Sequence, residues 1–406
     1  MSAARTAPRP AATTMERSRA WTGPAILSYG FRPFFFFGAV WAVVAMALWV
    51  AILAGRAAPG AMLPADWHAH EFLFGYLSAI VAGFLLTAVP NWTGRLPVVG
   101  WGLGALVLAW FAGRVVLWSP GPLGALAVAG VDLVFPLALA GVILREILAG
   151  KNWRNLPVLG LLVLLTVANG LFHWEAATGA SAAQGYGLRL GLGTGIMMIA
   201  LIGGRIVPSF TRNWLVKRGA TTLPVPPMAR FDRAALAVTG LALLLWIALP
   251  DAALTGVALL AVGAVQAVRL WRWRGVDTGA EPLVAVLHAG YAFVPLGALA
   301  IGAAILLPDT GATAAAQHLW MAGAIGLMTL AVMTRATLGH TGQALAAGAG
   351  TTAIYLALVA AVVLRLAGAA VPDAALTLYA LAGLCWAGAF GGFAVIYGRL
   401  LLRAKG

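Results

Sequence analysis

Long apolar runs, separated by short polar segments, follow one another along nearly the whole chain. Each run is about as long as the roughly 20 residues that an α-helix needs to cross a bilayer. Strands of a membrane barrel would show alternation over about ten residues, which these runs lack. The pattern therefore predicts an all-α integral membrane protein with twelve spanning helices. The predicted spans are 34–54, 70–90, 100–118, 123–146, 156–174, 187–208, 233–250, 252–271, 282–306, 315–335, 351–369 and 374–401.

Composition excludes the main alternatives to a membrane protein. The chain has 62% hydrophobic and 9% charged residues, whereas soluble domains are about 25% charged. The net charge of +14 would suit a nucleic-acid binder, but the basic residues flank apolar runs, so we expect the bilayer as partner and no nucleic acid. Cys385 is the single cysteine, which excludes an intrachain disulfide and a CxxC motif.

The distribution of basic residues predicts the orientation. Lys and Arg are enriched at the cytoplasmic ends of membrane helices. With a cytoplasmic N-terminus, nearly all of the 26 Lys and Arg residues fall on the inner side. The exceptions are Arg56, Arg114, Arg189 and Arg365. We therefore expect a bacterial inner-membrane protein with both termini cytoplasmic. Residues 1–25 are expected to form a disordered cytoplasmic tail rather than a signal peptide, and residues 26–402 a single transmembrane domain.

Three of the predicted spans end in similar motifs, which suggests a repeat of four helices. The second, sixth and tenth spans end in TAVPNWTGR, GGRIVPSFTRNW and AVMTRATLGHTG. His70 and His318 precede a Thr-Gly pair by the same number of residues, and Arg189 lies near the equivalent place in the sixth span. Shared anchoring residues at inner helix ends explain the similarity equally well. Three repeats of four helices would resemble the catalytic subunit of haem–copper oxidases, whose second and tenth helices carry the low-spin haem ligands; this is an analogy of fold only.

Histidines are the most informative side chains, because ionisable residues within spans are costly and usually functional. They fall at predicted outer span ends (His68, His70, His173 and His318) and toward the inner side (His288 and His340). Imidazole suits haem iron and copper, although an interfacial histidine that reaches for water is the plain alternative. We predict that His70 and His318 are the axial ligands of a haem. For copper or a second site we predict His68 and His173. An inner site is predicted for His288 with His340.

The order His68-Ala69-His70-Glu71 has two interpretations. In an extended segment both imidazoles would point to one side, whereas in a helix they would diverge by about 200° and could not bind one ion. The sequence leaves both forms open. Glu71 would either orient a histidine as a hydrogen-bond acceptor or be an anion on the outer face, and we favour the latter.

Further polar residues within or beside the spans are candidates for contacts with a cofactor. Arg189 is predicted to pair with a haem propionate, and Arg114 is a weaker candidate for the same role; an interfacial arginine is the alternative. Tyr291 lies on the same helical face as His288 and is predicted to donate a hydrogen bond to a ligand, unless it is a buried tyrosine with a backbone partner. Asp132 is a candidate polar lining residue.

Several motifs, in order, resemble the NnrS family from about residue 26 to residue 400. They are SYGFRPFFFFGA (28–39), WHAHEFLFG (67–75), AGFLLTAVPNWTGR (82–95), GLRLGLG (187–193), IGGRIVPSFTRNWL (202–215), HAGYAFVPLG (288–297) and GAIGLMTLAVMTRATLGHTG (323–342). The resemblance implies a twelve-span inner-membrane protein that binds haem, of the b type, and copper. It also implies a role in the response to nitric oxide, in nitrosative stress or denitrification, with nitric oxide as a gas ligand. The motif histidines carry over as candidate ligands only.

Two other classes of function remain open on the sequence. For the haem-binding interpretation, enzymatic activity stays undecided. A full oxygen-reducing centre needs a pair of histidines on the seventh span, and this sequence has none there. The first alternative is a twelve-span proton-coupled transporter that uses the histidines for coupling. The second is a structural or assembly protein of the membrane without a cofactor.

Overall fold

The computed structural model describes residues 20–308 and 312–403, and within these ranges it is helical with no strand. Twelve of its helices are long and apolar enough to cross a membrane, which confirms the predicted all-α, twelve-span fold. The predicted tail lies outside the described residues except for 20–25. The spanning helices are α1 (Phe31–Leu53), α2 (Pro64–Thr93), α3 (Trp101–Trp118), α4 (Ala125–Ala149), α5 (Trp153–Ala177), α6 (Tyr186–Lys217), α7 (Arg230–Ala248), α8 (Ala253–Trp271), α9 (Pro282–Leu306), α10 (Thr313–Thr341), α11 (Ala349–Ala370) and α12 (Pro372–Leu402).

Helices α2, α6 and α10 form the inside of the bundle. In their most apolar stretches 78%, 72% and 61% of the residues are buried, against 22–50% in the other nine spans. The three helices contact one another, and the other spans pack around them in chain order, with α12 closing the ring against α1. The recurrence of an inner helix at every fourth position supports the predicted organisation in three four-helix repeats.

Each inner helix also contains a wider, π-helical segment. These segments are Glu71–Tyr76, Ile199–Gly203 and Leu319–Leu327. A π-segment breaks the regular i→i−4 hydrogen bonds and is frequent at functional sites. Two backbone carbonyls in these segments accept hydrogen bonds from side chains instead. The carbonyl of Gly75 accepts from Trp110 Nε1 at 2.9 Å, and the carbonyl of Ala200 accepts from Arg269 Nη1 at 2.9 Å. The inner helices therefore resemble one another in backbone geometry as well as in position.

The glycine of the repeated Thr-Gly motif ends two of the inner helices. Gly94 after α2 and Gly342 after α10 have φ angles of 68° and 75°. This left-handed conformation ends helices and strongly favours glycine. Helix α6 instead continues to Lys217, beyond its predicted end at residue 208, and a left-handed glycine follows at Gly219 (φ 72°).

Candidate cofactor site

A cavity of about 900 Å³ lies at the end of the bundle where the inner helices begin. Its volume is at the upper end of the roughly 300–1,000 Å³ typical of small-molecule and cofactor sites. Its wall includes His68 of α2, Arg189 of α6 and His318 of α10, all three near the starts of the inner helices. Connecting segments complete the wall with Gln184 and Asp251. We call this space the His68 cavity.

The rings of His68 and His318 lie near each other in the wall of this cavity. Their ring centroids are 6.5 Å apart and their planes differ by 17°. His68 stacks on Trp49, with centroids 4.2 Å apart. Nδ1 of His318 lies 2.6 Å from the carbonyl oxygen of Ala314, one turn earlier in α10. When the proton of a neutral imidazole is on Nδ1, the free lone pair is on Nε2. This tautomer of His318 can bind a metal through Nε2.

The distance between the two ring centroids is compatible with one metal ion bound by both imidazoles. An imidazole nitrogen binds a transition metal at about 2 Å, and bonds of about 1.33 Å place each atom of the ring roughly 1.1 Å from its centroid. Two imidazoles on opposite sides of one iron therefore have centroids about 6.2 Å apart, by the same bond lengths. The observed 6.5 Å between His68 and His318 is close to this value. His70, predicted to share a haem with His318, is not among the residues that line this cavity, whereas His68 is.

Two arginines in the cavity wall have buried donors without a partner. Arg189 donates from Nη1 to the carbonyl of Gln184 at 2.5 Å, but its Nε has no hydrogen-bond partner among the described residues. The guanidinium of Arg365 lies over the ring of Tyr379, 4.4 Å from its centroid. Its Nη1 also has no hydrogen-bond partner among the described residues. Unsatisfied buried donors are costly, so an anionic group placed beside these two atoms would relieve both. Arg189 was predicted for this role; Arg365 was missed, although it is one of the few arginines on the sparsely basic side.

A second group of polar side chains is enclosed between α2, α3, α4 and α5. We call it the carboxylate cluster; it comprises His70, Glu71, Arg114, Asp132, Asn169 and His173, all of them buried. Arg114 joins the two acids, with Nη1 2.9 Å from both oxygens of Glu71 and Nη2 bonded to Asp132. Trp41 Nε1 donates to Glu71 at 2.8 Å. The two carboxylates therefore share one guanidinium in the interior of the protein.

Both histidines of the carboxylate cluster converge on Asp132. Its Oδ2 lies 3.1 Å from Nε2 of His173 and 3.3 Å from Nε2 of His70, and it accepts from Asn169 Nδ2 at 2.8 Å. Nε2 of His70 is also 2.8 Å from Oδ1 of Asn169, and its Nδ1 is 3.3 Å from Glu71. The ligand atoms of His70, Asp132 and His173 lie within 4.8 Å of one another, close enough to hold a metal ion.

The charge balance of the carboxylate cluster leaves room for one cation. Glu71 and Asp132 carry two negative charges and Arg114 one positive charge, so the buried group is one positive charge short. A net charge in a low-dielectric interior is costly. Either a proton on one imidazole or a bound metal ion would restore neutrality.

Helical geometry separates His68 from His70. Both lie in the first α-helical stretch of α2, Pro64–His70, so their side chains diverge, and one faces the His68 cavity while the other enters the carboxylate cluster. Of the two forms that the sequence left open, extended and helical, the structure has the helical one. The expectation that Glu71 is an outer-face anion was wrong, because Glu71 is fully buried and bonded to His70 and Arg114.

Tyr291 lies in a third polar group, away from the His68 cavity. Its hydroxyl donates to Gln266 Oε1 at 2.7 Å and accepts from Arg269 Nη1 at 2.9 Å. Arg269 is fully buried and pairs with Asp232 through Nε at 2.7 Å. Tyr291 is therefore a member of a buried hydrogen-bonded group between α7, α8 and α9, and it does not line the cavity as a cofactor contact would.

The two histidines predicted for an inner site have different neighbours. Nε2 of His288 is 2.7 Å from the hydroxyl of Thr211. His340 instead packs on the rings of Tyr29 and Phe31, with centroids 5.5 and 5.4 Å away. The structure brings no metal-ligand group together around either of them among the described residues.

Comparison with known proteins agrees with the motif resemblance. The model of the family described as NnrS protein matches residues 25–405, nearly the whole chain. The comparison with curated proteins gives no match. Because the family match spans all twelve helices and both sites described above, the chain belongs to the NnrS family.

Proposed function

We propose that this protein binds a b-type haem in the His68 cavity and acts in the bacterial response to nitric oxide. The observation that carries the proposal is the distance of 6.5 Å between the ring centroids of His68 and His318, which is close to the distance expected for two imidazoles that bind one iron. Membership of the NnrS family supports the link to nitric oxide. Haem supplies an iron that binds diatomic gases and exchanges electrons.

The residues around the cavity fit the parts of a haem. His68 and His318 would hold the iron, and the unpartnered donors of Arg189 and Arg365 would bind the two propionates, for which guanidinium is well suited. Apolar and aromatic side chains of the wall, among them Trp386, would cover the macrocycle. The wall thus offers cationic groups for the propionates and apolar side chains for the macrocycle.

A second metal is proposed for the carboxylate cluster. Two imidazoles and a carboxylate, from His70, His173 and Asp132, are donors that copper accepts. A copper ion would supply the positive charge that the cluster lacks. Arg114 and Asn169 would hold Asp132 in place, as hydrogen-bonded partners commonly orient metal ligands.

The proposed location is the bacterial inner membrane with both termini in the cytoplasm. The twelve spans show a multi-pass membrane protein, and the excess of Lys and Arg on one side supports this orientation. The His68 cavity, at the start of the even-numbered inner helices, would then lie near the periplasmic surface. Nitric oxide, an uncharged gas, could reach it from the bilayer or from the periplasm.

Haem binding is tested by the spectrum of the full-length protein purified in detergent. We expect a Soret band and the low-spin signature of two imidazole ligands. His68→Ala and His318→Ala should each lose that signature, whereas His70→Ala and His340→Ala should retain it. Loss in His70→Ala together with retention in His68→Ala would overturn the assignment of His68.

Copper binding is tested by metal analysis of the same preparations. His173→Ala and Asp132→Asn should lower the copper content of the protein and leave the haem content unchanged, with His288→Ala as the matched control outside the cluster. Copper that stays at the wild-type level in both cluster variants would refute the site. A colourless, metal-free preparation would refute both proposals and favour the proton-coupled transporter.

A further inference from the structure

We propose that His68 is an exchangeable axial ligand, replaced by a small diatomic gas, and that His318 is the permanent one. This inference rests on the proposed haem in the His68 cavity and goes beyond it, because it assigns different roles to the two ligands and places the gas on one side. It follows from an asymmetry in how the protein holds the two rings.

His318 is held by a directed hydrogen bond. Its Nδ1 is 2.6 Å from the carbonyl oxygen of Ala314 in the first turn of α10. Such a bond fixes the tautomer and orientation of a histidine ligand and raises its basicity, and its loss typically weakens metal binding about 10–100-fold. Rotation of the His318 ring would break this bond, so the protein itself opposes its departure.

His68 lacks a comparable anchor. Its Nδ1 is buried and has no hydrogen-bond partner among the described residues. The ring is positioned by aromatic contacts instead: it stacks on Trp49 at 4.2 Å and 19°, and it lies 5.0 Å from the ring of Phe72. Such contacts have little directionality in the plane of the ring. Rotation of His68 away from the cavity would therefore break no hydrogen bond, and a ring nitrogen that is now unsatisfied could gain one.

The surroundings of His68 suit an uncharged gas as the replacement. The rings of Trp49 and Phe72 lie beside that of His68. Trp386 packs on Phe72 with ring centroids 5.4 Å apart, and Met46 is another residue of the cavity wall. Arg189 and Arg365 lie in the same wall and would be neutralised by the propionates of the proposed haem. The side chains that contact the His68 ring itself are aromatic, and they disfavour a charged ligand more than a neutral diatomic molecule. The imidazole leaves with its lone pair and the gas supplies another at the same position, so the exchange needs no oxidant, reductant or proton.

Carbon monoxide is the probe for the test, added to the dithionite-reduced, full-length protein in detergent. In the wild type we expect binding whose rate levels off at high carbon monoxide, because departure of His68 becomes limiting. His68→Ala should retain haem and bind carbon monoxide at least about tenfold faster without levelling off, as expected when a limiting ligand departure is removed. His318→Ala should lose most of its haem. Retention of haem with fast binding in His318→Ala, together with loss of haem in His68→Ala, would reverse the assignment and overturn the inference.

A milder variant covers the case in which His68→Ala does not fold. Trp49→Ala keeps both imidazoles but removes the ring on which His68 stacks, so its spectrum should remain that of the wild type while carbon monoxide binds about three- to tenfold faster. Trp92→Ala is the matched control, because Trp92 is partly buried like Trp49 but packs on Phe84 and does not line the cavity; its rate should stay within about twofold of the wild type. Equal rates in Trp49→Ala and the wild type would contradict the inference while leaving the haem site intact. Absence of haem from the wild type would refute the proposed function as well.

Discussion

Substitution of Arg114 by Met tests whether the carboxylate cluster is a single electrostatic unit. Arg114 is 3% exposed and is the only guanidinium bonded to Glu71 and Asp132 among the described residues. Methionine preserves much of the apolar volume of the side chain and removes the charge. The variant then contains two buried carboxylates without the guanidinium that joins them.

The expected loss follows from the burial of all three charged groups. Removal of one partner of a buried ion pair costs about 3–5 kcal/mol, because the other charge stays buried without compensation. An exposed pair contributes about 0–1 kcal/mol. Arg145 provides a comparison within the same protein: its side chain is 65% exposed, and Glu146, 2.7 Å from its Nη2, is buried but keeps a second guanidinium, that of Arg95 at 3.4 Å. Arg114→Met should therefore destabilise the protein several times more than Arg145→Met does.

The assay is thermal unfolding of the purified variants in one detergent, at one scan rate, followed by circular dichroism and by intrinsic tryptophan fluorescence. Arg114→Met should unfold at a clearly lower temperature than the wild type, and Arg145→Met at nearly the wild-type temperature. Addition of Glu71→Gln to Arg114→Met should restore part of the loss, because one uncompensated carboxylate is then neutral. Equal unfolding temperatures for the two arginine variants, or no recovery in the double variant, would refute the idea of a coupled cluster.

Two further substitutions test the packing of the buried polar groups. Gly75→Ala would place a methyl group against the guanidinium of Arg114. We therefore expect a lower yield of monodisperse protein in size-exclusion chromatography. Gly102→Ala is the control: its added methyl group has its nearest neighbour at 3.8 Å, so the yield should be that of the wild type. Tyr291→Phe removes the hydroxyl that accepts from Arg269 and should cost about 1–3 kcal/mol of stability, as for other unsatisfied buried partners, with an unchanged haem spectrum. A changed spectrum in Tyr291→Phe would show that this residue acts on the cofactor after all.

Part of the candidate site was predictable from residue types alone. The sequence identified His68, His318 and Arg189 as chemically meaningful, because a polar or ionisable side chain near the start of an apolar span has few structural reasons to be there. It did not identify the pairing of the two histidines. That pairing depends on the rotation of α2 about its axis, and a difference of two positions turns a side chain by about 200°.

The carboxylate cluster shows a second limit of the sequence. Glu71 and Asp132 were each noticed, but Asn169 was not, since a single amide within an apolar run gives no periodic signal. Their contacts join α2, α4 and α5 across large separations in the chain. Only the packing of these helices brings the acids to one guanidinium and so turns separate polar residues into one charged group.

The sequence by itself determined the number of helices, their approximate limits and their placement in a membrane. These properties follow from the transfer of about 20 consecutive apolar residues out of water, which is a local and additive quantity. The tertiary structure decided which helices lie inside, which imidazoles lie near each other and where the buried charges meet. These properties depend on the mutual rotation and packing of helices that are distant in the chain, and no local pattern of residues specifies them.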